Sequence, residues 1–297
     1  MFSFRIQRVI PFRFHAPVRL VLAAGLLVGF PAAHAFPPAP YYTVFGNVRD
    51  QYGKLLPSQG ISVVAYAGLK KLPNQPLLDV PSGDYNYQMR LRMDMTRPDT
   101  VQYHPHTVEK DALFNLRVAI GDRMYLPIEM GSAPSVGAPG DRRRLDLTLG
   151  VDSDGDGLPD AWEEAQLYQA GERPGPEGWN LGGLDRDGDY DGDGTSNWHE
   201  YLAGTYAVDA SSVLDLRILE ITSGSARLEF YSFYGKSYTL QSSTDLKTWT
   251  PVSFTLVPPA EGGSAESQSS LVATTTGPTS LFVAATGNSL HYRLLAR

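Results

Sequence analysis

The sequence predicts a mainly β chain: two small β-sandwich domains joined by an acidic loop–helix segment. Short alternating or β-branched runs, punctuated by Gly, Pro, Asn and Asp, fill residues 41–150 and return from Leu214 onward. Gly (29) and Pro (22) make up about a sixth of the 297 residues, which favours turns and short strands over long helices. Between the two β regions, residues 152–200 hold nine Asp and five Glu against Arg173 and Arg186, a net of −12; the rest of the chain after residue 35 sums to +1. The acidity therefore belongs to one segment. A basic footprint for nucleic acid is missing, so nucleic-acid binding is excluded as an expectation.

Four stretches follow in order: 1–35, 36–151, 152–205 and 206–297. In the first, Arg5, Arg8, Arg13 and Arg19 precede an eleven-residue apolar run, LVLAAGLLVGF (20–30), and Ala33-His34-Ala35 offers a cleavage site. The run is short for a bilayer span, and the pattern is that of a secretory signal peptide cleaved near Ala35. The expected location is extracellular, with no membrane span in the mature chain. There is no Cys, so neither disulfides nor thiolate metal sites are available.

The second stretch contains YYTVFGNV (41–48), ISVVAYA (61–67), YNYQMRLRM (85–93), ALFNLRVAI (112–120), RMYLPIEM (123–130) and RLDLTLG (144–150). These read as the strands of a small antiparallel sandwich. In RLDLTLG the leucines alternate with Asp146 and Thr148, which places the leucines on the core and the polar residues toward water. Pro127 argues for a sheet edge. The fourth stretch repeats the pattern with LDLRILEI (214–221), ARLEFYSF (226–233), KSYTLQSS (236–243), SLFVAAT (280–286) and LHYRLLA (290–296). A Pro, Gly, Ser, Ala and Glu run around 258–270 forms a long connection between two of its strands.

The third stretch is poor in apolar residues and is expected to bury no core of its own. Two short helices are predicted, at 160–170 and 197–203, stopped by Gly171 and Gly204. Its first twelve residues, DSDGDGLPDAWE (152–163), fit the calcium loop D-x-[DN]-x-[DN]-G-x5-E at every constrained position. Asp152, Asp154 and Asp156 occupy positions 1, 3 and 5, and Gly157 makes the sharp turn at position 6. Leu158 offers its backbone carbonyl, Asp160 stands at position 9, and Glu163 supplies the bidentate carboxylate. A second copy, DYDGDGTSNWHE (189–200), places Asp189, Asp191, Asp193, Gly194, Thr195, Asn197 and Glu200 in the same roles, 37 residues on. The donors are almost all oxygen, which selects a hard cation. Ca2+, with six to eight ligands, fits better than Mg2+. Asp160-x-x-Glu163 and Asn197-x-x-Glu200 resemble an N-cap with an acid three residues on. No amphipathic helix precedes either loop, so each unit is loop–helix. Asp185 and Asp187 extend the second loop, but starting a loop at Asp185 would put Tyr190 where Gly is needed; they are left either as ligands of a further ion that shares the loop or as solvated acids, and the number of ions stays open.

DSDGDGLPDAWE and DRDGDYDGDGTSNWHEYLAGT resemble thrombospondin type 3 repeats, short Asp-rich units of secreted proteins with EF-hand-like loops. The resemblance covers residues 152–205 and implies a segment folded around calcium ions. It is also similar to the loop–helix repeats of dockerins, which end in Asp where this chain has Glu163 and Glu200. GNVRDQYGKLLPSQGISVVAY (46–66) is similar to the opening of carboxypeptidase-regulatory-like domains at Gly46, Val48, Asp50, Gly53 and Leu55. YGKSYTLQSSTDLKTWTPV (234–252) looks like a small C-terminal β domain that follows such calcium repeats in bacterial secreted proteins.

The remaining chemistry is thin. His199-Glu200 opens like a zinc-protease motif, but Ala203 stands where the second His is required. His104-Pro105-His106 lacks a third ligand, and Asp84, Asp94, Asp99, Glu109 and Asp111 form no readable acid–base pair. The expectation is a secreted, non-enzymatic protein in which Ca2+ rigidifies the segment between two β domains. Two other readings stay open: a calcium-dependent carbohydrate-binding or adhesion module with a glycan or protein partner, and an extracellular hydrolase.

Overall fold

The computed structural model describes residues 39–78, 85–94, 106–222, 224–258, 266–284 and 291–297. The leader reading at 1–35 lies outside them, as do Asp84, Asp99, His104 and much of the 258–270 connection. The chain is mainly β, with two α-helices among the described residues.

The N-terminal β region is two-layered. One sheet pairs the strand Tyr42–Gly46 with Tyr87–Met93 on one side and Arg142–Arg144 on the other. The second sheet is centred on Ile61–Ala67 and Asn115–Ile120, with Arg123–Tyr125 at its edge. Alternation decides which side chains turn inward: Tyr87, Met89, Leu91 and Met93 are buried, while Arg90 and Arg92 are exposed. Val44, Val63, Leu116 and Val118 meet them in one continuous core. Pro127 follows the edge strand and begins a 3-10 turn, Ile128–Gly131.

Two sequence expectations are corrected here. The region is not wholly antiparallel: Arg142–Arg144 runs parallel to Tyr42–Gly46, and Leu147–Thr148 runs parallel to Val48–Arg49. The chain leaves the first strand, builds the rest of the region, and returns beside it in the same direction, which only a long connection permits. Asp146 does not face open water either. It accepts from the Asn47 N–H at 2.9 Å and pairs with the Arg49 guanidinium at 3.3 Å, and Arg49 is fully buried.

The C-terminal β region repeats the two-layer plan. Arg217–Thr222, Ser225–Ser232 and Gly277–Ala284 form one sheet, and Ser237–Ser243 pairs with Thr250–Pro251, Ser270–Val272 and His291–Ala296 in the other. Leu228, Phe230, Tyr238, Leu240, Leu281 and Val283 fill the space between them.

Between these regions stand helices α1 (Asp160–Gln169) and α2 (Asn197–Ala203). The acidic segment does bury a core, contrary to expectation: Leu158, Trp162, Leu167, Leu184, Tyr201 and Ala207 form a separate cluster. Trp162 meets Tyr201 edge-on at 5.5 Å between centroids, and Trp198 stacks on Tyr201 at 5.4 Å. Six buried residues suffice because five are aromatics or leucines, three from the first loop–helix unit and two from the second, so the units cover one another.

Candidate metal centre

Each loop is wound by its own aspartates. Asp152 accepts from the Gly155 N–H through one oxygen (2.7 Å) and from the Gly157 N–H through the other (3.0 Å). Asp189 does the same with Gly192 and Gly194, at 2.9 Å in each case. Asp156 accepts from the Leu158 N–H and Asp193 from the Thr195 N–H, both at 2.6 Å. Asp154 and Asp191 accept from the N–H two residues on. The two loops thus match bond for bond at the spacing of 37 residues.

Glycine is required at the turns. Gly157 and Gly194 have φ of +95° and +94°, and Gly155 and Gly192 have +82° and +78°. A side chain at such angles costs about 1–2 kcal/mol. Gly157 is the more constrained, because a Cβ there would stand 2.6 Å from the Arg186 guanidinium. Gly157→Ala is therefore expected to destabilise the chain by about 2 kcal/mol and Gly194→Ala by about 1 kcal/mol, as read by denaturant unfolding.

This winding brings ligand atoms together. Asp152, Asp154 and Asp156 each bring an oxygen within 4.8 Å of the others, and so do Asp189, Asp191 and Asp193; either group could hold a metal ion. The Leu158 side chain is fully buried in the cluster of the acidic segment, which fixes its backbone at the loop. Thr195 is half-buried.

The position-12 carboxylates lie near these aspartates, but Glu163, Glu200 and Asp160 are not among the residues whose oxygens come within 4.8 Å of one another. Glu163 is 0% exposed, and neither of its oxygens has a hydrogen-bond partner. Glu200 is 1% exposed; one oxygen has no partner and the other accepts from the Thr205 hydroxyl at 3.4 Å. Burial, then the charges of Asp154, Asp156, Asp160 and Asp152, pushes the Glu163 carboxyl up to about 9. Burial, then Asp191 and Asp193, pushes Glu200 up to about 8. Asp156 and Asp191 are also raised, chiefly by burial. One oxygen each of Asp191 and Asp193 is likewise buried and unpartnered. Unpaired buried carboxylates are costly, so each of these atoms calls for a cation or a proton.

Asp160 and Asn197 do not cap their helices, contrary to the cap-like pattern of the sequence. The helix caps are Pro159 and Ser196, and neither makes a side-chain cap bond. Asp160 instead accepts from the Ser153 N–H (2.7 Å) and hydroxyl, and Asn197 accepts from the Tyr190 N–H at 3.1 Å. Both side chains turn back into their loops, where position 9 belongs. The Asn197 amide also donates to the Asp185 carbonyl at 2.7 Å, so Asp185 braces the second loop through its backbone. Gly204, with φ of +90°, stops α2 as expected.

Sequence reasoning missed Arg186. Its N–H donates to Asp156 of the first loop at 2.7 Å, and its guanidinium lies 3.7 Å from the centre of the Trp198 ring. It ties the two loops together, and only its place beside the second loop hinted at a role.

No family model, curated protein or solved structure matches the chain. The molecule is therefore classed by its own geometry: a mainly β protein with two acidic loops whose aspartate trios could hold metal ions, each followed by a buried glutamate.

Proposed function

We propose that the protein is a secreted, calcium-binding structural protein in which two Ca2+ ions stiffen the segment between its β regions. The observation that carries this reading is the pair of buried glutamates. Glu163 and Glu200 are buried, each feels the charge of its loop's aspartates, and each keeps at least one oxygen without a partner. That is an unfavourable arrangement without a cation and a favourable one around it. The ligands would be Asp152, Asp154, Asp156, the Leu158 carbonyl, Asp160 and Glu163 in the first loop. In the second they would be Asp189, Asp191, Asp193, the Thr195 carbonyl, Asn197 and Glu200. Such an all-oxygen set suits calcium, whereas magnesium dehydrates reluctantly and keeps several waters. The thrombospondin type 3 resemblance belongs to the same proposal.

The ion's role is structural. Extracellular calcium modules bind at roughly 10⁻⁴–10⁻³ M, and a fivefold excess over Kd adds about 1 kcal/mol per site by mass action. Thermal unfolding in calcium against EDTA tests this. The midpoint should rise with calcium, and Asp152→Ala/Asp189→Ala should unfold in calcium as the parent does in EDTA. An unchanged midpoint in the parent protein rejects the reading.

A further inference from the structure

Outside the loops, the most unusual side chain is Lys236. It sits at the turn between Ser225–Ser232 and Ser237–Ser243 and is 4% exposed. Its ammonium donates to the Tyr52 carbonyl of the N-terminal β region at 2.7 Å and to the Tyr201 carbonyl of α2. It also lies 4.9 Å from the centre of the Tyr201 ring, a cation–π distance. One atom of the C-terminal region thus grips both other parts of the molecule.

The groups it grips are bound to each other as well. The Tyr201 hydroxyl donates to the Asp50 carbonyl at 3.1 Å. The turn that presents these carbonyls is rigid, because one Asp50 oxygen accepts from the Tyr52 and Lys54 N–H groups at 2.9 Å each. Gly53 holds φ at +74°, and a side chain there would strike Lys236 Nζ and the Tyr201 carbonyl. The Leu55 N–H donates to the Gly235 carbonyl at 2.9 Å, and the Tyr238 hydroxyl donates to the Ala203 carbonyl at 2.8 Å. Two carbonyls of the last turn of α2, Tyr201 and Ala203, therefore find donors in the C-terminal region. Such end carbonyls need donors, and a cation suits that end of a helix.

A buried ammonium is expensive, and an apolar side chain would fill the same space without that cost. What the ammonium adds is directed bonding to two separate segments at once. Helix α2 has seven residues and is too short to persist alone. It is held at its start by the second loop and at its end by this junction. Glu200, the closing ligand of that loop, immediately precedes Tyr201, the residue that Lys236 holds.

We infer that Lys236 is a latch through which occupancy of the second loop governs how the Asp50–Lys54 turn is seated against α2. The inference rests on the calcium reading above. With the loop filled, Glu200 is drawn to the ion, α2 is fixed at both ends and the latch is closed. With the loop empty, Glu200, one oxygen of which has no partner, loosens α2, Tyr201 shifts, and the turn separates from Gly235. By reciprocity, opening the latch weakens calcium at the second loop by the same factor.

Hydrogen exchange of the full chain, in calcium and in EDTA, tests the latch. In the parent protein calcium should slow exchange of the Leu55 N–H at least tenfold, along with the Gly155, Gly157, Gly192 and Gly194 N–H groups of the loops. In Lys236→Met the calcium effect on Leu55 should vanish while Gly155 and Gly157 still respond, and calcium at the second loop should bind about tenfold or more weakly. Tyr201→Phe keeps the ring and loses only the bond to Asp50; it should reduce the Leu55 effect at least by half. Loop glycines that respond to calcium with Leu55 unchanged in the parent would overturn the latch and leave calcium binding standing. Loop glycines that ignore calcium would overturn both.

Discussion

In EDTA at pH 7 the Glu163→Gln/Glu200→Gln variant is expected to unfold at a higher temperature than the parent protein, and calcium, which raises the parent's midpoint, should leave the variant's unchanged. Both effects follow from the two buried carboxyls. Without metal, Glu163 is held at about 9 and Glu200 at about 8, each from an ordinary 4.5. The folded chain therefore keeps both protonated at pH 7 while the unfolded chain ionises them. That difference costs about 3 kcal/mol per site at pH 7, and a neutral amide removes it. Calcium does not stabilise the variant, because the amide cannot supply the bidentate negative charge that closes the loop. Only the parent gains the stabilisation of bound ion, about 1–2 kcal/mol per site at millimolar calcium, so the gap between the two proteins narrows. Paired thermal melts of both proteins check it. A variant less stable than the parent in both conditions would show that these glutamates serve packing alone.

The second large effect is in pH. Both carboxyls are raised in the folded metal-free chain, so their contribution to its stability is full below about 4.5 and is lost as pH climbs through the interval up to 8–9. Calcium requires the ionised form and must displace the proton. Affinity at each loop should therefore rise about tenfold per pH unit between pH 5 and pH 8 and level off above about 9. At pH 7 binding should release about one proton per ion. Titration calorimetry in two buffers of different ionisation enthalpy counts those protons. A proton count of zero would mean that Glu163 and Glu200 are already ionised, or stand away from the ion.

Much of this site was legible because the information is local. The twelve-residue pattern carries ligand order and the Gly turns within itself, and the structure places Gly157 and Gly194 at nearly the same φ. The helix 197–203 and its stop at Gly204 were equally plain. The mainly β class followed from short alternating runs, and Ile61–Ala67 lies where ISVVAYA placed it.

What escaped depends on residues far apart in the chain. The pairing of Thr43 with Arg142 spans about a hundred residues and leaves no periodic trace, so the parallel partners were unreadable. Asp146 looked like a solvated strand residue because nothing local marks Arg49 as buried. Lys236 was invisible for a related reason: its partners are backbone carbonyls, which every residue carries. The caps show a subtler limit. Asp160 and Asn197 suit an N-cap as well as position 9, and only the fold turns them toward Ser153 and Tyr190.

Equilibrium dialysis of the full chain against about 5 mM calcium tests the central claim most directly. Bound metal should reach two ions per parent chain, one in Asp152→Ala or Asp189→Ala alone, and none in the double variant. A parent chain that retains no calcium above buffer, or a double variant that binds as much as the parent, would contradict it.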